Sequence, residues 1–298
     1  MSCPSCKSKR RILLHQSTLW KSSKVANQYL CTSDCYGIHG PIYKCLGCNF
    51  IFVIDNTRIM EIVNCYKEVE DPLYLAEHMG REKTFSRHLK IINRLFQHKG
   101  KLLDVGSYTG VFLSLAKLSG WKVKGIEPSQ WAVKAAQKNY NLSLVNGILK
   151  RGYFPNNTFE VVTMWDVIEH FTDPKDAIKI AFSYLKPGGA LAMSTVDVGS
   201  FIARFQGSKW PWFMRMHRVY FSKDTMRTML QDSGFENIVF LPHIRSISLR
   251  YLATRLKNYN KRLSRFLSLT IRRMRLENII IPFYVGDIFD VYAYKKKN

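Results

Sequence analysis

Residues 101–110 read KLLDVGSYTG: an apolar run of strand character ends at Asp104, passes Gly106 and Gly110, and opens into VFLSLAKLSG (111–120), whose apolar residues recur at helical spacing. A strand, a glycine turn and a helix start therefore follow one another directly. Such a turn brings backbone N–H groups and the positive end of a helix to a bound ligand, and glycine removes the Cβ atoms that would block it. Asp104 narrows the ligand, because a carboxylate repels a pyrophosphate and attracts the ammonium of an amino-acid ligand.

Working outward, strand and helix patterns alternate. The sequence predicts strands at 101–105, 122–127, 142–146, 159–165 and 190–196, with helices at 109–119, 129–139 and 173–186. LKPGGA (185–190) reads as the turn closing the last of these helices. Ser222 is placed to cap a helix running to Ser233, and Gly234 to stop it before the strand FENIVFL (235–241). This predicts an α/β fold: a Rossmann-like, mostly parallel seven-stranded sheet with helices on both faces. Its last strand, GDIFDVYAYK (286–295), is delayed by an insertion at 244–276 that holds ten Arg or Lys and no Asp or Glu. Within it Leu249, Leu252, Leu256, Tyr259, Leu263, Phe266 and Leu267 repeat at helical spacing, so the segment reads as a basic amphipathic helix or helix pair. The same stripe suits packing on the sheet and lying on a membrane surface.

Upstream, two Cys-x-x-Cys knuckles, Cys3 with Cys6 and Cys45 with Cys48, stand 38 residues apart. Four thiolates from two tight turns can complete a tetrahedral zinc site and fix a module too short for its own core. Cys31 and Cys35 form a poorer pair and read as bystanders, and Cys65 as a small packed residue. The domain plan is a zinc-ribbon module at 1–70, a linker at 71–100 and a main domain at 101–298. The linker contains a helix over 78–98 with one apolar face, Phe85, Leu89, Ile92 and Phe96.

A net charge of +23 points to an anionic partner, nucleic acid or an acidic membrane surface, or to a solubilising excess. No run of about 18 uncharged apolar residues occurs. The N-terminal apolar run is only ILL, too short for a secretory signal, and seven cysteines without such a signal read as thiols or metal ligands. The expected location is the cytoplasm, with a peripheral place at the inner face of the membrane through 244–276.

In an open parallel sheet, ligands sit outside the carboxyl ends of the strands near the switch point. Glu127, ending the second strand and 21 positions after Gly106, is placed to accept hydrogen bonds from two ribose hydroxyls. LLDVGSYTGVFL, GIEPS, FEVVTMWDVIEHFTDP, LKPGGALAMST and HRVYFSKDTMRTMLQDSGF resemble the successive motifs of class I S-adenosylmethionine-dependent methyltransferases. The chain is most similar to the ubiquinone- and sugar-methyltransferase branch that carries an N-terminal zinc ribbon. The resemblance implies that Asp104, Gly106 and Gly110 surround the methionine moiety of the cofactor. It also implies that Glu127 holds the ribose, that Asn146 and Ile148 lie against adenine, and that Trp165 and Asp166 line the methionine and substrate side. Where the family carries a mid-loop glycine this chain has Tyr108, a ring that either leans over the cofactor or obstructs it.

Methyl transfer is an in-line displacement, so a base is needed only for a neutral hydroxyl or amine. His217 is the first candidate base and His170 the second, while Glu169 with His170 offers too few donors for a metal. Trp210, Trp212, Phe213 and Tyr220 suit either an acceptor pocket or the core of a cap. The expected activity is methylation, most simply on oxygen, of a small-molecule or glycan acceptor, free or lipid-linked. An RNA methyltransferase and a non-catalytic adaptor with the same fold are the alternatives.

Overall fold

The computed structural model describes residues 2–19, 26–55, 59–257 and 260–297; Tyr259 of the predicted basic stripe lies outside them. In chain order the elements are β1 (Arg11–His15), β2 (Ile42–Cys45), β3 (Ile51–Val53), α1 (Ile59–Lys67), α2 (Pro72–Ala76), α3 (His78–Leu95), β4 (Lys101–Val105), α4 (Val111–Leu118), β5 (Lys122–Glu127) and α5 (Gln130–Tyr140). Then come β6 (Val145–Asn146), β7 (Phe159–Trp165), α6 (Pro174–Tyr184), β8 (Leu185–Val196), α7 (Phe201–Gln206), β9 (Val219–Tyr220), α8 (Lys223–Gln231) and β10 (Phe235–Pro242). The chain ends with β11 (Arg245–Ser248), α9 (Leu249–Leu256), α10 (Lys261–Arg273), β12 (Ile280–Phe283) and β13 (Ile288–Lys295).

The main sheet has seven strands in the order β10-β13-β8-β7-β4-β5-β6. β4, β5, β6, β7 and β8 pair in parallel, and β13 lies antiparallel between β8 and β10. The chain runs outward from β4 through β5 to β6 and then restarts at β7 on the other side of β4, so the switch point lies between β4 and β7. A crevice outside the carboxyl ends of these two strands is the consequence.

Alternate residues of the central strands feed two cores, as strands buried on both faces require. Leu103, Val105, Val162 and Met193 pack with Ala177, Ile178, Met226 and Leu230 of α6 and α8. Leu102, Val161 and Ala192 pack with Leu89 and Ile92 of α3, Phe112 and Leu113 of α4, and Ala136 of α5. The predicted apolar face of the 78–98 helix is thus the face it buries, although the helix ends at Leu95.

Some local expectations change. β6 is shorter than 142–146, and β8 begins five residues before 190. LKPGGA is not a turn outside the sheet: Phe159 pairs with Leu185 and Val161 already with Ala190, so the extra residues bulge within the ladder. The 244–276 insertion is a helix pair, α9 and α10, as one of the two predicted forms. It is bracketed by a two-stranded antiparallel sheet, β11 with β12, that its helical pattern conceals.

The N-terminal sheet has the order β1-β2-β3-β9, so its fourth strand comes from residues 219–220 of the main domain. Beside this joint Arg218 donates to both oxygens of Asp55 at 2.6 and 2.8 Å, in a pair that is nearly buried. A bidentate pair of this kind is directional and fixes register.

Candidate active site

A cavity of about 780 Å³ opens over the carboxyl ends of β4 and β7. Its volume lies near the upper end of the range for ligand sites. Its floor is the glycine turn. Asp104 is buried, and Thr163 Oγ1 donates to its Oδ1 at 2.5 Å. Burial, helped by the neighbouring Glu127, pushes the Asp104 carboxyl up to about 7. Glu127 accepts from the backbone N–H of Tyr108 and of Ser129, both at 2.8 Å, and burial pushes it up to about 7 despite these bonds. Two carboxylates held at strand ends, facing a cavity and costly to ionise without a partner, suit a ligand that brings an ammonium and a diol.

The glycines act differently from the sequence reading. A Cβ on Gly106, at φ +74°, would stand 2.5 Å from Val167 Cγ2, and one on Gly110, at φ +80°, would meet Leu142 Cδ1 at 2.9 Å and Ala136 Cβ at 3.0 Å. Both positions answer to φ and to packing inside the protein. Gly110 does not line the cavity, and it forms the left-handed N-cap of α4. Asn146 is also outside the lining: its amide donates to Glu127 O and Pro128 O and clamps the end of β5, whereas Ile148, half exposed, faces the cavity.

Tyr108 sits at φ +46° with its ring 4.3 Å from that of Tyr74, edge to face, and 6.0 Å from that of Trp131. The ring is turned onto these neighbours, and the cavity remains open beside it. Trp165 lines the wall and stacks on His88 at 4.2 Å. Asp166 accepts from Ser194 Oγ at 2.8 Å and from an Arg245 terminal nitrogen at 3.0 Å; although burial opposes it, the arginine and His243 hold this carboxyl well below the usual range.

Elsewhere on the cavity wall, the backbone oxygens of Trp212 and Met216 face the Nδ1 atoms of His217 and His170 at 2.8 and 3.0 Å. A carbonyl only accepts, so both Nδ1 atoms carry protons and both Nε2 atoms present lone pairs. Burial, then the neighbouring His170, lowers His217 to about 3, so its ring is neutral. Glu169 lies beside them, pushed up to about 8 by burial and by Asp166, and accepts from Thr195 Oγ1. Donor atoms of Glu169, His170 and His217 lie within 4.8 Å of one another, which brings together three donors where the sequence offered two. Among the aromatic residues of 210–220, Trp212 lines the cavity; Trp210, Phe213 and Tyr220 are the buried core behind it.

Sequence reasoning missed a second buried array. His88 Nε2 and His243 Nδ1 face the two oxygens of Asp290 at 3.1 and 2.6 Å, and Arg245 links His243 to Asp166. Burial alone would raise Asp290, but the two imidazoles hold it down at about 2. These residues come from α3, the end of β10 and β13, and only the sheet order brings them together.

The four knuckle sulfurs also converge: Cys3 lies 3.7 Å from Cys48 and Cys6 lies 3.5 Å from Cys45, with all four within 4.8 Å of one another. A tetrahedron with Zn–S bonds of about 2.3 Å has edges of roughly 3.8 Å, so these residues fit a structural zinc. Cys31 and Cys35 are not in the group, and Cys31 lines the cavity instead.

A family model described as a methyltransferase domain matches residues 77–239, from α3 through most of the sheet. The chain belongs to the class I S-adenosylmethionine-dependent methyltransferases. It is 30% identical over 126 residues to a mitochondrial ubiquinone biosynthesis O-methyltransferase of Schizosaccharomyces pombe, covering 38% of this chain and 45% of that protein. It is 27% identical over 106 residues to a ubiquinone/menaquinone biosynthesis C-methyltransferase of Cronobacter sakazakii, covering 28% of this chain and 42% of that one. The chain thus spans less than half the length of these curated relatives. A crystal structure of a SAM-dependent methyltransferase from Archaeoglobus fulgidus matches with a TM-score of 0.51 at 15% identity, covering 76% of this chain and all of that one, a likeness of fold.

Proposed function

We propose that this methyltransferase-family chain transfers the methyl group of S-adenosylmethionine to an oxygen of a small-molecule or glycan acceptor held in the same cavity. The observation that carries this reading is the continuity of the space. Asp104, Gly106, Glu127 and Ile148 line the same cavity as Glu169, His170 and His217. The bound cofactor supplies an electrophilic methyl on a sulfonium. Asp104 is the partner for its ammonium and Glu127 for its ribose diol. His217, its tautomer set by the Trp212 carbonyl, offers Nε2 as the hydrogen-bond acceptor that orients the acceptor hydroxyl, His170 stands next to it at 5.1 Å between rings, and Glu169, raised to about 8 within the same group, is the stronger base beside them. The relatives include both O- and C-methyltransferases, so the oxygen assignment rests on this base.

A structural zinc on Cys3, Cys6, Cys45 and Cys48 belongs to the same reading. So does a peripheral place on an anionic membrane, which α10 favours: Leu263, Phe266 and Leu269 are exposed beside Arg262, Arg265 and Arg273. On α7, Phe201 and Phe205 stack in the open next to Ile202 and Gln206, which line the cavity, so a lipid-linked acceptor would enter from that side. Isothermal titration with S-adenosylhomocysteine tests the core of the proposal. One site per chain is expected, and no binding would sink the enzyme reading.

A further inference from the structure

Among the described residues, six carboxylates line the cavity, those of Glu77, Asp104, Glu127, Asp166, Glu169 and Asp287. Five have a counterpart. Asp104 and Glu127 face the cofactor in the reading above, Glu169 stands with His170 and His217, and Asp166 accepts from Arg245. Glu77 accepts from the N–H and the hydroxyl of Ser248, both at 2.6 Å. Asp287 is left over. It is buried, and it makes no ion pair among the described residues.

Asp287 Oδ2 accepts from the indole N–H of Trp212 at 2.7 Å and from that of Trp210 at 3.3 Å. Both bonds fall on one oxygen, and neutral indoles bring no counter-charge. The two tryptophans and the adjoining Ile288 belong to an apolar cluster with Val196, Ala203 and Phe213. The Arg245 guanidinium lies 5.0 Å from the centre of the Trp212 ring, but its terminal nitrogen donates to Asp166. A carboxylate in such surroundings has given up water without gaining a cation. The indoles do not explain the charge, because an asparagine amide oxygen would accept from both of them equally.

Trp212 ties this carboxylate to the groups that handle the acceptor hydroxyl. Its indole donates to Asp287 while its backbone oxygen faces His217 Nδ1 at 2.8 Å, and the Trp212 and His217 rings lie 6.4 Å apart, 20° from parallel. Along β13, Phe289 pairs with Thr195, whose hydroxyl donates to Glu169 at 2.8 Å. One tryptophan thus spans from Asp287 to His217.

We propose that Asp287 is a specificity-determining residue whose Oδ1 binds an ammonium group of the acceptor, while the acceptor's hydroxyl is presented to His217 and Glu169. The inference rests on the reading of this cavity as the shared site of cofactor and acceptor. An ammonium supplies both the counter-charge and the N–H donors that the carboxylate lacks, in a charge-assisted bond roughly twice as strong as a neutral one. The class of acceptor this selects is a cationic amino alcohol, with the amine and the hydroxyl separated by about the width of one ring.

The test uses benzylamine and benzyl alcohol, one ring carrying either an ammonium or a hydroxyl. Each is titrated into the chain already saturated with S-adenosylhomocysteine, whose ammonium and diol then occupy Asp104 and Glu127. Benzylamine is expected to bind at least about tenfold more tightly than the alcohol. Asp287→Asn keeps an oxygen for both indoles and should bring the two affinities within about threefold of each other, whereas Asp287→Glu keeps the charge and should keep the preference. An S-adenosylhomocysteine affinity within about threefold of the parent certifies the fold of each variant. A nuclear Overhauser contact between the benzylamine methylene and the Trp212 indole N–H, measured on the parent, locates the amine without any substitution. Binding of neither probe, equal binding of both by the parent, or absence of that contact overturns the proposal. So does a preference unchanged in Asp287→Asn, which would give the amine to another carboxylate. Failure of the parent to bind S-adenosylhomocysteine at all is a separate result, and it removes the methyltransferase reading beneath the proposal.

Discussion

Tyr108 carries two opposed contributions. A non-glycine residue at φ +46° is strained by about 1–2 kcal/mol, while its buried ring packs on Tyr74 and Trp131. Tyr108→Ala keeps the strain and loses the ring, so it should cost about 3–5 kcal/mol; Tyr108→Gly relieves the strain and should cost about 1 kcal/mol less. Chemical denaturation of the two variants decides this, and equal losses would show that φ is not under strain here. The acids beside it predict a pH dependence. Burial raises Asp104 and Glu127 to about 7, so the folded ligand-free chain holds protons that the unfolded chain releases. Their contribution to stability therefore declines as pH rises from about 4 to 7. An ammonium and a diol favour the ionised forms, so S-adenosylhomocysteine should bind more tightly from pH 6 to 8, by at most about tenfold per pH unit for each carboxyl. Titration in two buffers of different ionisation enthalpy should show proton release near pH 7, and a flat profile would contradict the assignment.

At the scale of elements, the N-terminal sheet and the wall that carries His217 are joined. β9 completes the β1-β2-β3 sheet, and Val53 N–H donates to Arg218 O directly after His217. Removing a structural metal should then disturb the His217 wall more than the glycine turn, which lies on β4 and α4. Chelation, or Cys45→Ser, is expected to lower methyl transfer at least tenfold while S-adenosylhomocysteine affinity changes by less than about threefold; metal content read on the same sample should fall from one zinc per chain. Arg218→Ala tests the same joint without touching the thiols. Breaking its buried bidentate pair with Asp55 should cost about 3–5 kcal/mol by thermal or chemical denaturation.

At the scale of the molecule, the basic insertion carries ten of the 45 Lys and Arg behind a net charge of +23, and its second helix leaves only Ser264, Leu267, Thr270 and Ile271 unexposed. Basic side chains near an anionic bilayer contribute about 1 kcal/mol each. Co-sedimentation with phosphatidylglycerol vesicles should be strong at low salt and lost at high salt. Arg262, Arg265, Arg272 and Arg273 replaced together by Glu should abolish it with the fold intact. Equal binding by parent and variant would assign the charge to another surface or to nucleic acid.

The sheet and the cofactor end of the cavity were legible in the sequence because they are built locally. A strand, its turn and the next helix carry their own periodicity and caps, and a carboxylate at a strand end is placed by the strand itself. This holds for Asp104, Glu127, Trp165 and Asp166. Gly110 and Asn146 misled because proximity in sequence to the turn says nothing of which way a residue faces. The rest of the cavity wall and the buried array behind it were mostly illegible: Arg81, His88, His243, Arg255 and Asp290 come from α3, the end of β10, the insertion and the last strand, and only packing around the sheet brings them to this part of the molecule. What the sequence determined by itself is the order of elements and the chemistry of the strand ends. What tertiary structure decided is which distant charges share one wall, because counter-charges are assigned by burial and contact, which no local pattern encodes.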